Sequence, residues 1–149
     1  MRKIILIVVV MLTITFCGCL QGPINKKYQG GDNIQQSKMN LESFEKELEV
    51  NGYIVSSGSK GAEDFLSVIP TVLKIKDEEI GIFEYKSNEE MEIDAKQIDK
   101  TGFHVMGALY EFTKSPHFYK KDNIIVFYMG SNNEIKNAIE KIMGKQFAG

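Results

Sequence analysis

The sequence predicts an α+β fold: one antiparallel sheet with helices packed on one face, built from two ββα-like units preceded by a helix and a strand. The first observation is an internal repeat. Residues 80–98 can be laid on residues 124–142 with an offset of 44, matching Phe83 to Phe127, Ser87 to Ser131, Asn88 to Asn132, Glu90 to Glu134 and Ile98 to Ile142. The second is that each copy starts with a β-type apolar run preceded by a second short run across a polar turn. Residues 72–76 face 80–85 across Asp77-Glu78-Glu79, and 118–120 face 124–129 across Lys121-Asp122-Asn123. The third is a Ser-Asn-x-Glu signal after each run, which predicts a capping box. The serine hydroxyl accepts from the third helical N–H, and the glutamate reaches back to the serine N–H.

The remaining elements follow from periodicity. Asn40 reads as an N-cap. Leu41, Phe44 and Leu48 recur on one helical face, with Glu42, Glu45, Lys46, Glu47 and Glu49 mostly on the other. Asn51-Gly52 ends that helix, and Tyr53-Ile54-Val55 reads as a short strand. Residues 56–61 are a Ser/Gly loop lacking the Gly-Lys-Ser/Thr order of a phosphate-cradling loop. In the first unit Met91, Ala95 and Ile98 mark the helix. In the second, Ile135, Ala138, Ile139 and Ile142 do so, and Gly144 stops it. Between the units, Phe103, Val105 and Leu109 suggest one face of an interrupted strand. Residues 109–112 read as the stronger strand, and Gly107 marks a bulge or turn.

The chain start carries a location signal. Arg2 and Lys3 precede an apolar run over residues 4–16, too short for a membrane-spanning helix of about 20 residues. Thr15-Phe16-Cys17-Gly18-Cys19 follows. This stretch resembles the lipobox of bacterial lipoprotein signals, with Phe16 where leucine is usual. The resemblance implies diacylglycerol on the Cys19 thiol and cleavage after small Gly18. Cys17 fits less well, because bulky Phe16 would precede the cut. The expected organisation is a signal peptide over 1–18, a flexible Gly/Gln/Asn-rich tether over 19–39 and one α+β domain over 40–149. The expected location is the outer face of the cytoplasmic membrane.

These expectations bound the function. Arg2 and Lys3 leave with the leader, which takes 18 basic residues to 16 against 20 acidic, a net charge of −4. That argues against a nucleic-acid partner and against a polybasic grip on anionic lipid. Both cysteines lie at the leader junction, so the mature domain is expected to carry neither disulfide nor thiol nucleophile. No Gly-x-Ser-x-Gly elbow occurs. The two histidines, His104 and His117, lack metal-ligand spacing to Asp94, Asp99 or Glu111, so no metal or cofactor is expected. His104 reads as an exposed strand residue, and His117 as a structural hydrogen-bonding group at the second hairpin. Glu78-Glu79 and Glu89-Glu90 read as turn and helix-start charges rather than a glycosidase pair. Tyr119 and Tyr128 are candidate binding residues, since strand alternation places one of them on an exposed patch.

The run 116–121 (Pro-His-Phe-Tyr-Lys-Lys), then Asn123-Ile124-Ile125-Val126, Gly130 and the tail 144–149 (Gly-Lys-Gln-Phe-Ala-Gly), is similar to the C-terminal half of small uncharacterised lipoproteins of low-GC Gram-positive bacteria. The likeness covers about the last 35 residues and implies the same location, with no activity attached. It draws His117 and the tail forward, with Phe147 expected against the last helix. The function expected is a binding or interaction module for a protein, peptide or envelope polymer. The alternatives are an envelope hydrolase or transferase centred on His117 with Tyr119 and Glu111, and an inhibitor acting through a tyrosine-bearing sheet face.

Overall fold

Two short hairpins pair edge to edge to build the sheet that organises the chain. The computed structural model describes residues 38–59 and 64–149; the leader, Cys19 and the tether up to residue 37 lie outside them. The first hairpin joins β2 (Thr71–Ile75) to β3 (Glu78–Glu84), and the second joins β6 (Pro116–Lys121) to β7 (Ile124–Met129). Both turns are one residue shorter than expected. They are two-residue connections, Lys76-Asp77 and Asp122-Asn123, and each starts with a left-handed residue, φ 56° at Lys76 and φ 53° at Asp122. β3 pairs with β7, and β1 (Val55–Ser57) adds to β2, giving the all-antiparallel order β1-β2-β3-β7-β6. β1 starts two residues later than the Tyr53 strand expected.

Each helix begins at a side-chain cap. α1 (Leu41–Val50) starts at Asn40, which accepts from Ser43 N–H while Ser43 Oγ accepts from Asn40 N–H. α2 (Asn88–Ala95) starts at Ser87, as expected, with Glu90 N–H donating to its hydroxyl. α3 (Asn133–Met143) is capped by Asn132 rather than by Ser131, and it ends at Gly144 with φ 88°. The reciprocal box therefore forms in α1 rather than in the two repeat units.

The α+β class and the antiparallel sheet are as expected, but the helices lie on both faces of the sheet rather than on the one expected. α1 and α3 share one face, where Phe44, Leu48, Ile135 and Ile139 bury against Ile75, Ile80, Ile82, Val126 and Tyr128. α2 lies on the other face, where Met91 and Ala95 meet Phe83, Ile125, Phe127 and Phe118. Alternation explains the split. Both helices start after three-residue links, 85–87 and 130–132, but the strands end on opposite faces. β3 ends at Glu84, level with Ile124 on the first face, and β7 ends at Met129, which packs on the second. Gly130 in the link to α3 is required, because a Cβ there would strike the Tyr128 hydroxyl.

The second face is also covered by a minimal hairpin, β4 (His104–Val105) and β5 (Ala108–Leu109), turning at Met106-Gly107. Residues 110–112 are not the strand expected. Instead Tyr110 and Phe112 pack round Phe65 with the rings of Phe83, Phe118 and Phe127. Val105 is buried while Leu109 is exposed, so the two do not share a face. Beyond α3, residues 147–149 lie along the outer edge of β6. Phe147 N–H donates to the Phe118 carbonyl, and Phe118 N–H to that of Ala148. Phe147 sits on the second face near Phe118 and under Lys120 Nζ, not against the last helix.

Candidate functional site

Alternation along β6 and β7 sends Tyr119 and Tyr128 to the same face, because Tyr119 pairs with Val126 and His117 with Tyr128. That face is roofed by α1 and α3. Both tyrosines are fully buried in its core, and the exposed tyrosine patch expected from the sequence is not formed. Burial pushes the Tyr119 phenol up to about 12, with the Glu140 carboxylate acting in the same direction. Tyr128 is raised by burial as well, and so is Tyr85, which donates to buried Asp94. A phenol raised in the folded state stabilises the fold fully below its ordinary value near 10, and that contribution is lost as pH climbs through the folded value. The domain is therefore expected to unfold cooperatively between about pH 10 and 12, with tyrosinate absorbance rising in step with loss of the circular dichroism signal.

His117 is buried and acts as a clamp. Its Nδ1 lies 2.8 Å from Gln146 Oε1 and its Nε2 lies 2.9 Å from the Gly130 carbonyl oxygen, while the ring stacks on Tyr128 at 5.9 Å. Gln146 in turn donates through Nε2 to the Gly149 carbonyl. The ring thus ties β6 to the link before α3 and to the tail. Both ring nitrogens are engaged. His117→Ala is expected to cost about 1–2 kcal/mol and to raise hydrogen exchange at residues 146–149 ahead of the rest of the domain. His104 is exposed, as expected, with Nδ1 3.4 Å from Asp99 Oδ2. Among the described residues no three His, Cys, Asp or Glu side chains cluster as metal ligands do, and no helix is long and apolar enough to cross a membrane.

A surface with a shape for a ligand lies on the part of the second face beyond the helix α2. One row of side chains crosses the sheet there: Val72 on β2, Gly81 on β3 and Phe127 on β7 are successive neighbours. Gly81 contributes no side chain to this row, so a dip opens between Val72 and Phe127. It forms a groove of about 340 Å³ that Met129 also lines. Its rim carries both charge signs, with Lys74 paired in register with Glu79, and Lys114 4.0 Å from Glu78. Ser59 fastens Glu79 by donating from its N–H and hydroxyl, which holds that carboxylate below the usual range. The sequence reading passed over Gly81. Its signal was a glycine in the middle of an apolar strand, a place where side-chain bulk is missing on one face.

Comparison with family models, with curated proteins and with solved structures finds no match to this chain.

Proposed function

We propose that the chain is a lipid-anchored binding module on the outer face of a Gram-positive cytoplasmic membrane, presenting the Gly81 groove to a protein or peptide segment. The anchoring half of this reading rests on the sequence. A charged n-region, a short apolar run and Gly18-Cys19 precede a body whose first capped helix starts at Asn40. Lipid on Cys19 supplies stable attachment without a membrane-spanning helix. The body holds its core without a cysteine, which suits a chain whose cysteines belong to its leader junction.

The observation that carries the binding half is the groove itself. It combines an apolar floor of Val72, Phe127 and Met129 with lysines and carboxylates at the rim. Such a surface suits an extended segment with an apolar side chain between charged ones. His117, by contrast, has the geometry of a structural clamp.

A cross-linking pull-down from intact cells tests the reading with three chains: wild type, Cys19→Ala and Gly81→Val. The valine fills the dip while suiting a strand position. A partner enriched by the wild type and lost with Gly81→Val and with Cys19→Ala is the expected outcome. Undiminished capture by Gly81→Val would contradict the groove, and equal capture by Cys19→Ala would contradict the role of the anchor.

A further inference from the structure

The β4–β5 hairpin is rigidly docked on one side and apolar on the other. Val105 is wholly buried, Ile98 bridges to it, and Met106 N–H donates to the Gln97 carbonyl. Outward from this base stand Phe103, Met106 and Leu109, exposed by 37%, 46% and 63%. Met106 is the telling residue. It occupies the first place of a two-residue turn with φ 53°, followed by Gly107 with φ 79°. Two successive left-handed residues make the turn that favours Asn-Gly or Asp-Gly. A soluble hairpin has every reason to use asparagine there. This chain instead holds a large apolar side chain in a disfavoured backbone region and leaves half of it in water.

Charge distinguishes the same segment. Residues 96–114 carry Lys96, Lys100 and Lys114 against Asp99 and Glu111, a net charge of +1, whereas the rest of the chain from Cys19 onward carries −5. An anionic surface therefore repels this segment less than it repels the acidic remainder of the protein taken together. The span from Cys19 to Lys38, the first described residue, has a greatest possible length of roughly 65 Å, so the domain stays within reach of the bilayer that holds its anchor.

We infer that the tip of the β4–β5 hairpin inserts Phe103, Met106 and Leu109 into the interface of that bilayer, setting the domain's orientation on it. The inference rests on the membrane attachment proposed above and adds a second, non-covalent contact. One anchor keeps the domain near the surface; the tip selects which side of it faces the lipid. Interfacial contacts of this kind use a few apolar side chains beside basic ones, and they need no membrane-spanning element.

The chain contains no tryptophan, so a single introduced one reports its own surroundings. Full-length protein carrying Met106→Trp is reconstituted into phosphatidylethanolamine–phosphatidylglycerol vesicles with brominated acyl chains. Ile54→Trp, at a position 88% exposed beside β1, is the comparison. The expected result is a blue-shifted Met106→Trp emission quenched by about half or more, with Ile54→Trp unshifted and unquenched. A second pair, Leu109→Trp alone and with Met106→Asn, separates insertion from folding. The asparagine is expected to raise Tm, since it suits the turn, and to reduce quenching at position 109. Unquenched Met106→Trp and Leu109→Trp in chains that float with the vesicles would overturn the inference. So would equal quenching of Ile54→Trp, or self-quenching contacts between copies at position 106. Flotation itself follows from either lipid on Cys19 or the apolar leader, so the tryptophan signal reads the hairpin independently of how the chain is anchored. A chain that does not float contradicts the insertion and the membrane reading together.

Discussion

Phe65→Ala is expected to lower the unfolding free energy by about 4 kcal/mol, a large share of what holds a domain of this size. Phe65 stands in irregular chain before β2, yet its ring lies 5.0–5.9 Å from those of Phe83, Tyr110, Phe112, Phe118 and Phe127. It is the centre of the second core, where three elements with little regular structure of their own meet the sheet. Truncation removes its buried area and leaves a cavity that rings from four different segments cannot all close. Urea unfolding followed by circular dichroism measures the loss. A change below about 1.5 kcal/mol would show that the aromatic cluster does not act as a core.

Asp94→Ala is expected to cost about 3 kcal/mol, because it leaves three donors without their acceptor. Asp94 is buried at the end of α2, and its Oδ2 accepts from Ser67 N–H at 2.8 Å, Ser67 Oγ–H at 2.7 Å and the Tyr85 hydroxyl at 2.9 Å. One carboxylate oxygen thus ties the loop carrying Phe65 to the helix and to the end of β3. The double variant Tyr85→Phe with Asp94→Ala separates its parts. Removing the phenol together with the carboxylate is expected to cost less than the sum of the two single changes, since the buried hydroxyl is then no longer stranded. Strict additivity would show that the two groups are not coupled.

Much of the fold was legible because local signals agreed. The two hairpins, the caps at Asn40 and Ser87 and the stop at Gly144 each rest on a few neighbouring residues whose backbone preferences decide the geometry. What was not legible depended on which face the last residue of each strand points to. The links 85–87 and 130–132 are equally long, but β3 ends at Glu84 on the first face and β7 at Met129 on the second, so two units alike in sequence deliver their helices to opposite faces. The same sensitivity buried both candidate tyrosines: alternation fixes that Tyr119 and Tyr128 point one way, but only the packing of α1 and α3 shows that this way is inward.

The site was less legible than the fold. Asp94 carried a signal in plain view, since it shares the i, i+3, i+4, i+7 face of Met91, Ala95 and Ile98, where a carboxylate must find buried donors. Gly81 carried a weaker one. Phe65 carried almost none, because nothing local orders it and its partners lie up to 62 positions away. Gln146 became meaningful only once the tail was seen to run back along β6 to His117.

The central claim is that lipid on Cys19 holds this domain to a membrane, and the mass of the mature protein extracted from cell membranes tests it most directly. The account predicts a chain that begins at Cys19 and carries added acyl mass on that residue. A chain that begins elsewhere, or one in which Cys19 bears no lipid, would contradict it.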